Sequence, residues 1–132
     1  MPRILLIDDD QLLRTALRLS IEKSGYEVVE AGDGREGLAA YRAGRFELVV
    51  TDMVMPGMEG VETIGELRKL DPRLPIIAIS GGGRGAAGDY LSYAKIFGAS
   101  IMLEKPLEPE LLCAAIVKLI GPPDRTAPTN GG

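Results

Sequence analysis

Several acidic, hydroxyl and ammonium side chains each follow a short apolar run of this sequence. They are Asp8, Asp9, Asp10, Asp52, Ser80 and Lys105. Two carboxylates about 4 Å apart repel by roughly 4 kcal/mol at an effective dielectric constant of ~20, so a close group takes up a proton or holds a cation. Oxygen ligands beside a phosphoryl group suit Mg²⁺, and a carboxylate can attack phosphorus. The residue types therefore favour metal-assisted phosphoryl transfer.

Each of these residues also has an ordinary structural explanation. Asp10 is a typical helix N-cap, and a single Asp, Ser or Lys at the end of a strand is most often a solvated surface residue. The functional interpretation therefore depends on whether the fold brings the residues together.

Five segments have the short, Val-, Ile- and Leu-rich character of buried strands. They are Ile4–Ile7, Tyr26–Glu30, Phe46–Thr51, Pro75–Ser80 and Ser100–Leu103. Helical periodicity and turn residues predict helices between and after them. These are Gln11–Ser24, Arg35–Ala43, Gly60–Leu70, Gly88–Phe97 and Glu108–Ile120.

This alternation predicts an α/β fold with a doubly wound, five-stranded parallel sheet and helices on both faces, a three-layer sandwich. The carboxyl ends of parallel strands share one edge, where such sheets place their sites. We therefore expect the chemically active residues to meet there. One domain at residues 1–120 is expected, followed by a Pro- and Gly-rich flexible tail at 121–132.

Composition excludes several classes of function. The net charge is −4, which argues against nucleic acid as a direct partner. The chain has no histidine and a single cysteine, Cys113, so histidine chemistry and an internal disulfide are excluded. Cys113 is expected to be a small core residue. The N-terminus is too short and acidic for a signal peptide, and no segment is apolar enough to cross a membrane; a cytoplasmic location is expected.

Four sequence blocks resemble the signatures of response-regulator receiver domains. The blocks are ILLIDDDQLLR, LVVTDMVMPGMEG, IIAISG and LEKPLEP. The resemblance extends from Pro2 to about Ile120. It implies the flavodoxin-like strand order 2-1-3-4-5. Hydrophobic periodicity alone does not specify the strand order.

The resemblance also implies roles for the acidic residues. Asp52 matches the phosphoacceptor, and Asp8 and Asp9 match the acidic pair that binds Mg²⁺. Asp9 is then the direct metal ligand, Asp8 acts through water, and the backbone carbonyl of Val54 is the remaining protein ligand.

The other matched positions contribute to phosphoryl binding and local geometry. Lys105 matches the lysine that pairs with the phosphoryl oxygens, and its bond to Pro106 is often cis in the family. Ser80 matches the hydroxyl that hydrogen-bonds the phosphoryl group and moves inward on activation. Gly57 and Gly60 match the turn and helix start after the acceptor.

Three features depart from the family pattern. Met102 stands where the family usually has Tyr or Phe, so a switch based on a swinging ring is not possible. The glycine-rich segment SGGGRGAAGDY looks about three residues longer than usual and is expected to be mobile. Tyr90, Tyr93 and Phe97 share one helical face, which either packs on the sheet or docks a partner.

Competing interpretations remain at this point. A haloacid-dehalogenase-type phosphatase also uses an Asp nucleophile, but no acidic pair follows Lys105. A flavodoxin would need a hydroxyl-rich phosphate loop where three aspartates stand. A receiver used only as a phosphorylation-independent binding module is the strongest alternative, because Met102 departs from the pattern.

The sequence thus predicts a single-domain response regulator that is not an enzyme toward an external substrate. It accepts a phosphoryl group on Asp52 from a sensor histidine kinase or phosphotransfer protein and loses it slowly. It signals to a downstream protein through the surface of the helix at 88–97, the last strand and the last helix. A monomer or weak dimer is expected.

Overall fold

Short apolar segments alternate with amphipathic segments along the chain, and they form strands and helices in that order. The computed structural model describes residues 2–53, 59–80 and 98–123. Its elements are β1 (Arg3–Ile7), α1 (Gln11–Lys23), β2 (Glu27–Ala31), α2 (Gly34–Ala43), β3 (Leu48–Asp52), α3 (Glu59–Leu70), β4 (Ile76–Ser80), β5 (Ile101–Glu104) and α4 (Pro109–Ile120).

The five strands form one parallel sheet in the order β2-β1-β3-β4-β5. This confirms the expected doubly wound α/β fold and the strand order that the family resemblance implied. Ile7 pairs with Ala31 on one side and Thr51 on the other, and Asp52 pairs with Ile79. The carboxyl ends of the central strands therefore lie at nearly the same level.

Alternate residues of each strand face two separate apolar cores, one on each side of the sheet. Ile4 and Leu6 belong to the core that contains residues of α1 and α4. Leu5 and Ile7 belong to the core that contains residues of α3, with residues of α2 packed against it. Because helices cover both faces, all residues of β3 and β4 are buried.

The strand boundaries differ from the sequence prediction by one or two residues, and two aromatic residues account for part of the difference. Tyr26 precedes β2, and its hydroxyl donates a hydrogen bond to the carbonyl of Gly121 at 2.9 Å. Phe46 precedes β3 and stacks on Tyr41 with ring centroids 6.1 Å apart. Both side chains have high strand propensity, but here they pack beside the sheet ends.

Several predicted features lie outside the described residues. These are the helix Gly88–Phe97 with its three aromatic residues, the glycine-rich segment before it, and the tail beyond Pro123. The first residues of the predicted tail are described, and Pro123 lies against Gly25. No helix in the ranges 2–53, 59–80 and 98–123 is long and apolar enough to span a membrane.

Helix α3 begins in very close contact with the end of β3. A Cβ atom on Gly60 would lie 2.7 Å from the backbone oxygen of Asp52 and 2.8 Å from the Cα of Met53. Real Cβ atoms do not approach backbone so closely, so only glycine fits here without a shift of the chain. By contrast, a Cβ on Gly65 of the same helix would meet nothing within 4 Å.

Gly60→Ala is therefore expected to lower the free energy of unfolding by about 1–3 kcal/mol, the usual cost of overpacking. Gly65→Ala is the matched control and is expected to be neutral or to stabilise by up to about 1 kcal/mol, since alanine is the better helix former. The chain has no tryptophan, so urea unfolding would be followed by far-UV circular dichroism. Equal effects of the two substitutions would contradict the close contact.

Candidate functional site

The turn that follows β1 places two of the aspartates in different environments. Asp8 is buried, with 1% of its surface exposed, and its amide donates to the carbonyl of Ala31 at 3.1 Å. The amide of Asp10 donates to Asp8 Oδ1 at 2.9 Å. Asp10 itself caps α1, as predicted, by accepting from the amide of Leu13 at 3.2 Å. The exposed Asp9 lies between them.

Asp52 is the last residue of β3, and it forms an ion pair with Lys105. Lys105 Nζ donates to Asp52 Oδ2 at 3.1 Å. The Asp52 side chain is 2% exposed and the Lys105 side chain 23%, so the ammonium reaches a buried carboxylate from the rim of the site. The Lys105–Pro106 peptide bond is cis, in agreement with the family pattern.

Three carboxylates at this edge could bind a metal ion. Asp8, Asp9 and Asp52 each offer an oxygen within 4.8 Å of the others. Within the described ranges, Asp8 Oδ2 is buried and has no hydrogen-bond donor. A buried, unpartnered carboxylate oxygen beside other carboxylates fits a hard cation with oxygen ligands.

The environment of Asp8 shifts its ionisation strongly. The pKa of Asp8 is raised from 3.8 to about 6, chiefly by burial, which disfavours the charged form, and in part by the nearby Asp52 carboxylate. The backbone amide of Asp10 and the ammonium of Lys105 act in the opposite direction. The cluster of Asp8, Asp9 and Asp52 can therefore be stabilised either by a proton on Asp8 or by a bound cation.

The structure brings Ser80 to the same edge of the sheet. It is the last residue of β4 and fully buried. It directly follows Ile79, which pairs with Asp52, and its carbonyl accepts from the amide of Lys105 at 2.9 Å. Val54 and Gly57, two further residues of the predicted site, lie outside the described residues.

Met102, the departure from the family pattern, lies on β5 opposite Ala78 of β4. Its partly buried side chain packs against the core on the α2–α3 side. An unbranched apolar side chain therefore occupies the position where the family usually has an aromatic ring.

Arg14 is a residue near the site that the sequence analysis missed. Its Nη1 donates to the backbone carbonyl of Asp8 at 2.6 Å, and its Nε donates to Glu30 Oε1 at 2.7 Å. The available signal was its place one helical turn after the Asp10 cap. A sequence pattern, however, does not show that this face of α1 meets β2.

Residues 4–117 match the protein-family model described as "Response regulator receiver domain". The chain belongs to the response-regulator receiver domain family. This membership replaces the phosphatase and flavodoxin interpretations, and it agrees with the four sequence blocks. It leaves open whether this receiver domain is phosphorylated or only binds a partner.

Relatives of this receiver domain include proteins of very different length. Chemotaxis protein CheY of Thermotoga maritima is 36% identical over 118 residues, which cover 89% of this chain and 96% of that protein. Response regulator MprA of Mycolicibacterium vanbaalenii is 36% identical over 129 residues, covering 98% of this chain and 53% of MprA. The chain thus spans about half the length of MprA, and about a third of the transcriptional regulatory protein AfsQ1 of Streptomyces coelicolor.

Solved structures agree with this fold. A response regulator receiver domain protein from Clostridium thermocellum superposes with a TM-score of 0.83 at 30% identity, covering 91% of this chain and 94% of that chain. Chemotaxis protein CheY4 of Vibrio cholerae gives a TM-score of 0.82 at 30% identity, covering 91% and 99%.

The raised pKa of Asp8 predicts a pH-dependent effect of Asp8→Asn in the absence of divalent cations. The folded protein binds the proton of the Asp8 carboxyl group more tightly than the unfolded chain does. The stability that the protonated carboxyl group contributes is complete below about pH 4 and is lost as the pH rises through about 6. Asp8→Asn is therefore expected to stabilise the protein at pH 7.5 by up to roughly 3 kcal/mol, and by only about 1 kcal/mol near pH 4.5.

Thermal and urea unfolding at the two pH values would measure this difference. Asp33→Asn is the control, since it removes one negative charge from an exposed helix cap and Asn is an equally good cap. If Asp8→Asn destabilises the protein, or if its effect does not change with pH, the ionised Asp8 carboxylate does not destabilise the folded protein as proposed.

Proposed function

We propose that this receiver domain accepts a phosphoryl group on Asp52 from a phosphohistidine of a sensor histidine kinase or phosphotransfer protein. The proposal is carried by the environment of Asp52, whose buried carboxylate is paired with Lys105 and lies within the acidic group of Asp8 and Asp9. This environment combines a nucleophile, a cationic side chain and oxygen ligands. The donor histidine must come from a partner, because this chain has none.

In the proposed reaction, a carboxylate oxygen of Asp52 forms a bond to phosphorus while the P–N bond to the partner's imidazole breaks. The bonding electron pair leaves with the imidazole nitrogen, and the product is an acyl phosphate on Asp52. The Lys105 ammonium lies beside the acceptor and offsets the negative charge of the transferring group. The domain modifies only itself, so it is not an enzyme toward an external substrate.

Mg²⁺ is the metal proposed for the acidic group. Asp9 and Asp52 would hold it directly and Asp8 through water, with the backbone carbonyl of Val54 completing the protein ligands. The bound ion supplies charge neutralisation around the phosphoryl oxygens. It would also offset the cost of burying the negative charge on Asp8 Oδ2, which has no hydrogen-bond donor in the described residues.

Ser80 and Lys105 are proposed to hold the phosphorylated product. Both lie at the carboxyl ends of strands next to or near β3, and the backbone link from Lys105 to Ser80 couples them. The segment 81–97, which follows Ser80, is the proposed responsive region. Slow loss of the phosphoryl group is expected, because Val54 and Gly82 offer no side chain that could position the attacking water.

Exposed leucines on α1 support a docking surface for the phosphodonor. Leu12 is 77% exposed in the first turn of α1, directly after the acidic residues, and Leu19 is 54% exposed two turns further along. A phosphohistidine must approach Asp52 from the edge of the sheet where α1 begins. An apolar helical surface beside that edge is suited to a helical donor domain.

The downstream protein is proposed to bind the surface of the segment 88–97, β5 and α4. On α4, Leu111 is 56% exposed and Val117 is 39% exposed. This helix packs on the same face of the sheet as α1, so donor and target would bind to neighbouring helices. A cytoplasmic location is proposed, as expected for a partner of a kinase domain.

Incubation with Mg²⁺ and acetyl phosphate is expected to add one phosphoryl group to the wild-type protein, measured by intact mass. Asp52→Asn should show no gain, because its amide is not a nucleophile toward phosphorus. Lys105→Met should fold but be phosphorylated at least about tenfold more slowly, since it lacks the charge beside the acceptor. No gain in a folded wild-type protein that binds Mg²⁺ would instead support the phosphorylation-independent binding module.

Leu12→Glu is expected to slow transfer from a purified autophosphorylated histidine kinase that labels the wild type, by about tenfold or more. It should leave phosphorylation by acetyl phosphate unchanged, because the small donor needs no docking surface. Leu111→Glu is the matched control and should leave both reactions unchanged. A kinase rate for the Leu12 variant equal to that of the wild type would exclude α1 as the docking surface.

A further inference from the structure

The backbone of Asp8 is held from both sides, and one of the two contacts comes from Arg14. The Asp8 amide donates to the carbonyl of Ala31 on β2. The Asp8 carbonyl accepts from Arg14 Nη1 at 2.6 Å. That carbonyl belongs to the peptide group that joins Asp8 to Asp9. The Arg14 contact therefore fixes the orientation of this peptide plane, and with it the position of the Cα atom that carries the Asp9 side chain.

The Arg14 guanidinium is itself held in a fixed position. Its Nε donates to Glu30 Oε1 at 2.7 Å, with the Arg14 side chain 15% exposed and the Glu30 side chain 26% exposed. The same carboxylate pairs with Arg18 through its other oxygen, Glu30 Oε2, at 2.5 Å. Because a planar guanidinium presents several donors in a rigid fork, one side chain connects α1, β2 and the end of β1.

Asp9 has no comparable support of its own. Its side chain is exposed, and no hydrogen bond to this carboxylate is found in the ranges 2–53, 59–80 and 98–123. Asp8, by contrast, accepts a hydrogen bond from the amide of Asp10. The direction of the Asp9 carboxylate therefore depends on its backbone, and hence on the peptide group that Arg14 contacts.

Arg14 acts on geometry rather than on the charge of the acidic group. Its polar contacts are the Glu30 carboxylate and the Asp8 backbone carbonyl. The cation that lowers the pKa of Asp8 is Lys105. Glu30, which Arg14 shares with Arg18, offsets part of the positive charge of Arg14.

We propose that Arg14 is a positioning residue for metal binding, which aligns Asp9 with Asp8 and Asp52 by holding the Asp8–Asp9 peptide group. This inference rests on the proposed Mg²⁺ site. It assigns to α1 and β2 a role in the metal affinity of a site whose ligands come from β1 and β3.

Arg14→Gln distinguishes positioning from charge, because the two effects have opposite signs. Removing a positive charge near three carboxylates would by itself tighten Mg²⁺ binding. Loss of the Asp8 contact would weaken it, by about tenfold or more as for other groups that orient metal ligands. We expect the weaker binding, measured by isothermal titration with MgCl₂ at fixed ionic strength and without a phosphodonor.

Two further variants complete the test. Arg18→Gln removes the same charge from α1 and the same kind of contact to Glu30, but not a contact to Asp8, and should bind Mg²⁺ as tightly as the wild type or more tightly. Arg14→Lys keeps the charge but cannot bridge Glu30 and the carbonyl as a fork does, so it should bind more weakly than the wild type. It also keeps the test valid if Arg14→Gln does not fold.

The outcomes separate the two proposals. If the wild type binds Mg²⁺ and both Arg14 variants bind it as tightly or more tightly, the proposed role of Arg14 is overturned. The metal site itself would then stand. Absence of Mg²⁺ binding by the folded wild type would overturn the metal site itself. A second readout is the amide resonance of Asp9 in NMR spectra without Mg²⁺, which should move in Arg14→Gln and not in Arg18→Gln.

Discussion

The burial of two acidic side chains, Asp8 and Asp52, at one edge of the sheet is the constraint on which the rest of this structure depends. Their side chains have almost no access to water, and removal of a charge from water is costly unless it is paired. Lys105 balances one carboxylate, while an oxygen of Asp8 has no donor in the described part of the chain. The folded domain therefore contains a site that a cation or proton could complete, and binding of either would then be linked to stability.

The scaffold satisfies this constraint by keeping polar groups at the strand ends and apolar groups elsewhere. Each residue of β3 before Thr51 is buried and apolar, and helices cover both faces of the sheet. Close packing then fixes how the helices approach the site. Gly60 lets α3 begin against the backbone of Asp52, and Gly37 of α2 lies directly over the Ile7 side chain. A rigid arrangement of this kind keeps the acidic group together despite its repulsion.

The β5 side of the domain is less constrained than its centre. The residues of β4 are all buried, whereas those of β5 are half-buried or exposed. Lys105 follows β5 and is tied to both the Ser80 carbonyl and the Asp52 carboxylate. Lys105 thus links Asp52 directly to the end of an edge strand. Met102 lies on that strand, and its flexible side chain can adapt to a shift where an aromatic ring would have to rotate.

The sequence by itself determined the type and order of the described elements and showed which acidic, hydroxyl and ammonium residues follow the strands. Apolar periodicity is a local property, and the alternation of strands and helices requires a parallel sheet whose carboxyl ends meet. This reasoning correctly placed Asp8, Asp52, Ser80 and Lys105 at one edge. The strand order came only from the family resemblance, because periodicity does not specify which strands are neighbours.

Only the tertiary structure decided the features that depend on distances between remote segments. The raised pKa of Asp8, the contact of Arg14 with the Asp8 carbonyl, the need for glycine at position 60 and the packing of Tyr26 against Gly121 are of this kind. Each arises where side chains or backbone from two or more elements meet. A sequence specifies which groups are available, but burial and hydrogen-bond geometry exist only once the chain has folded.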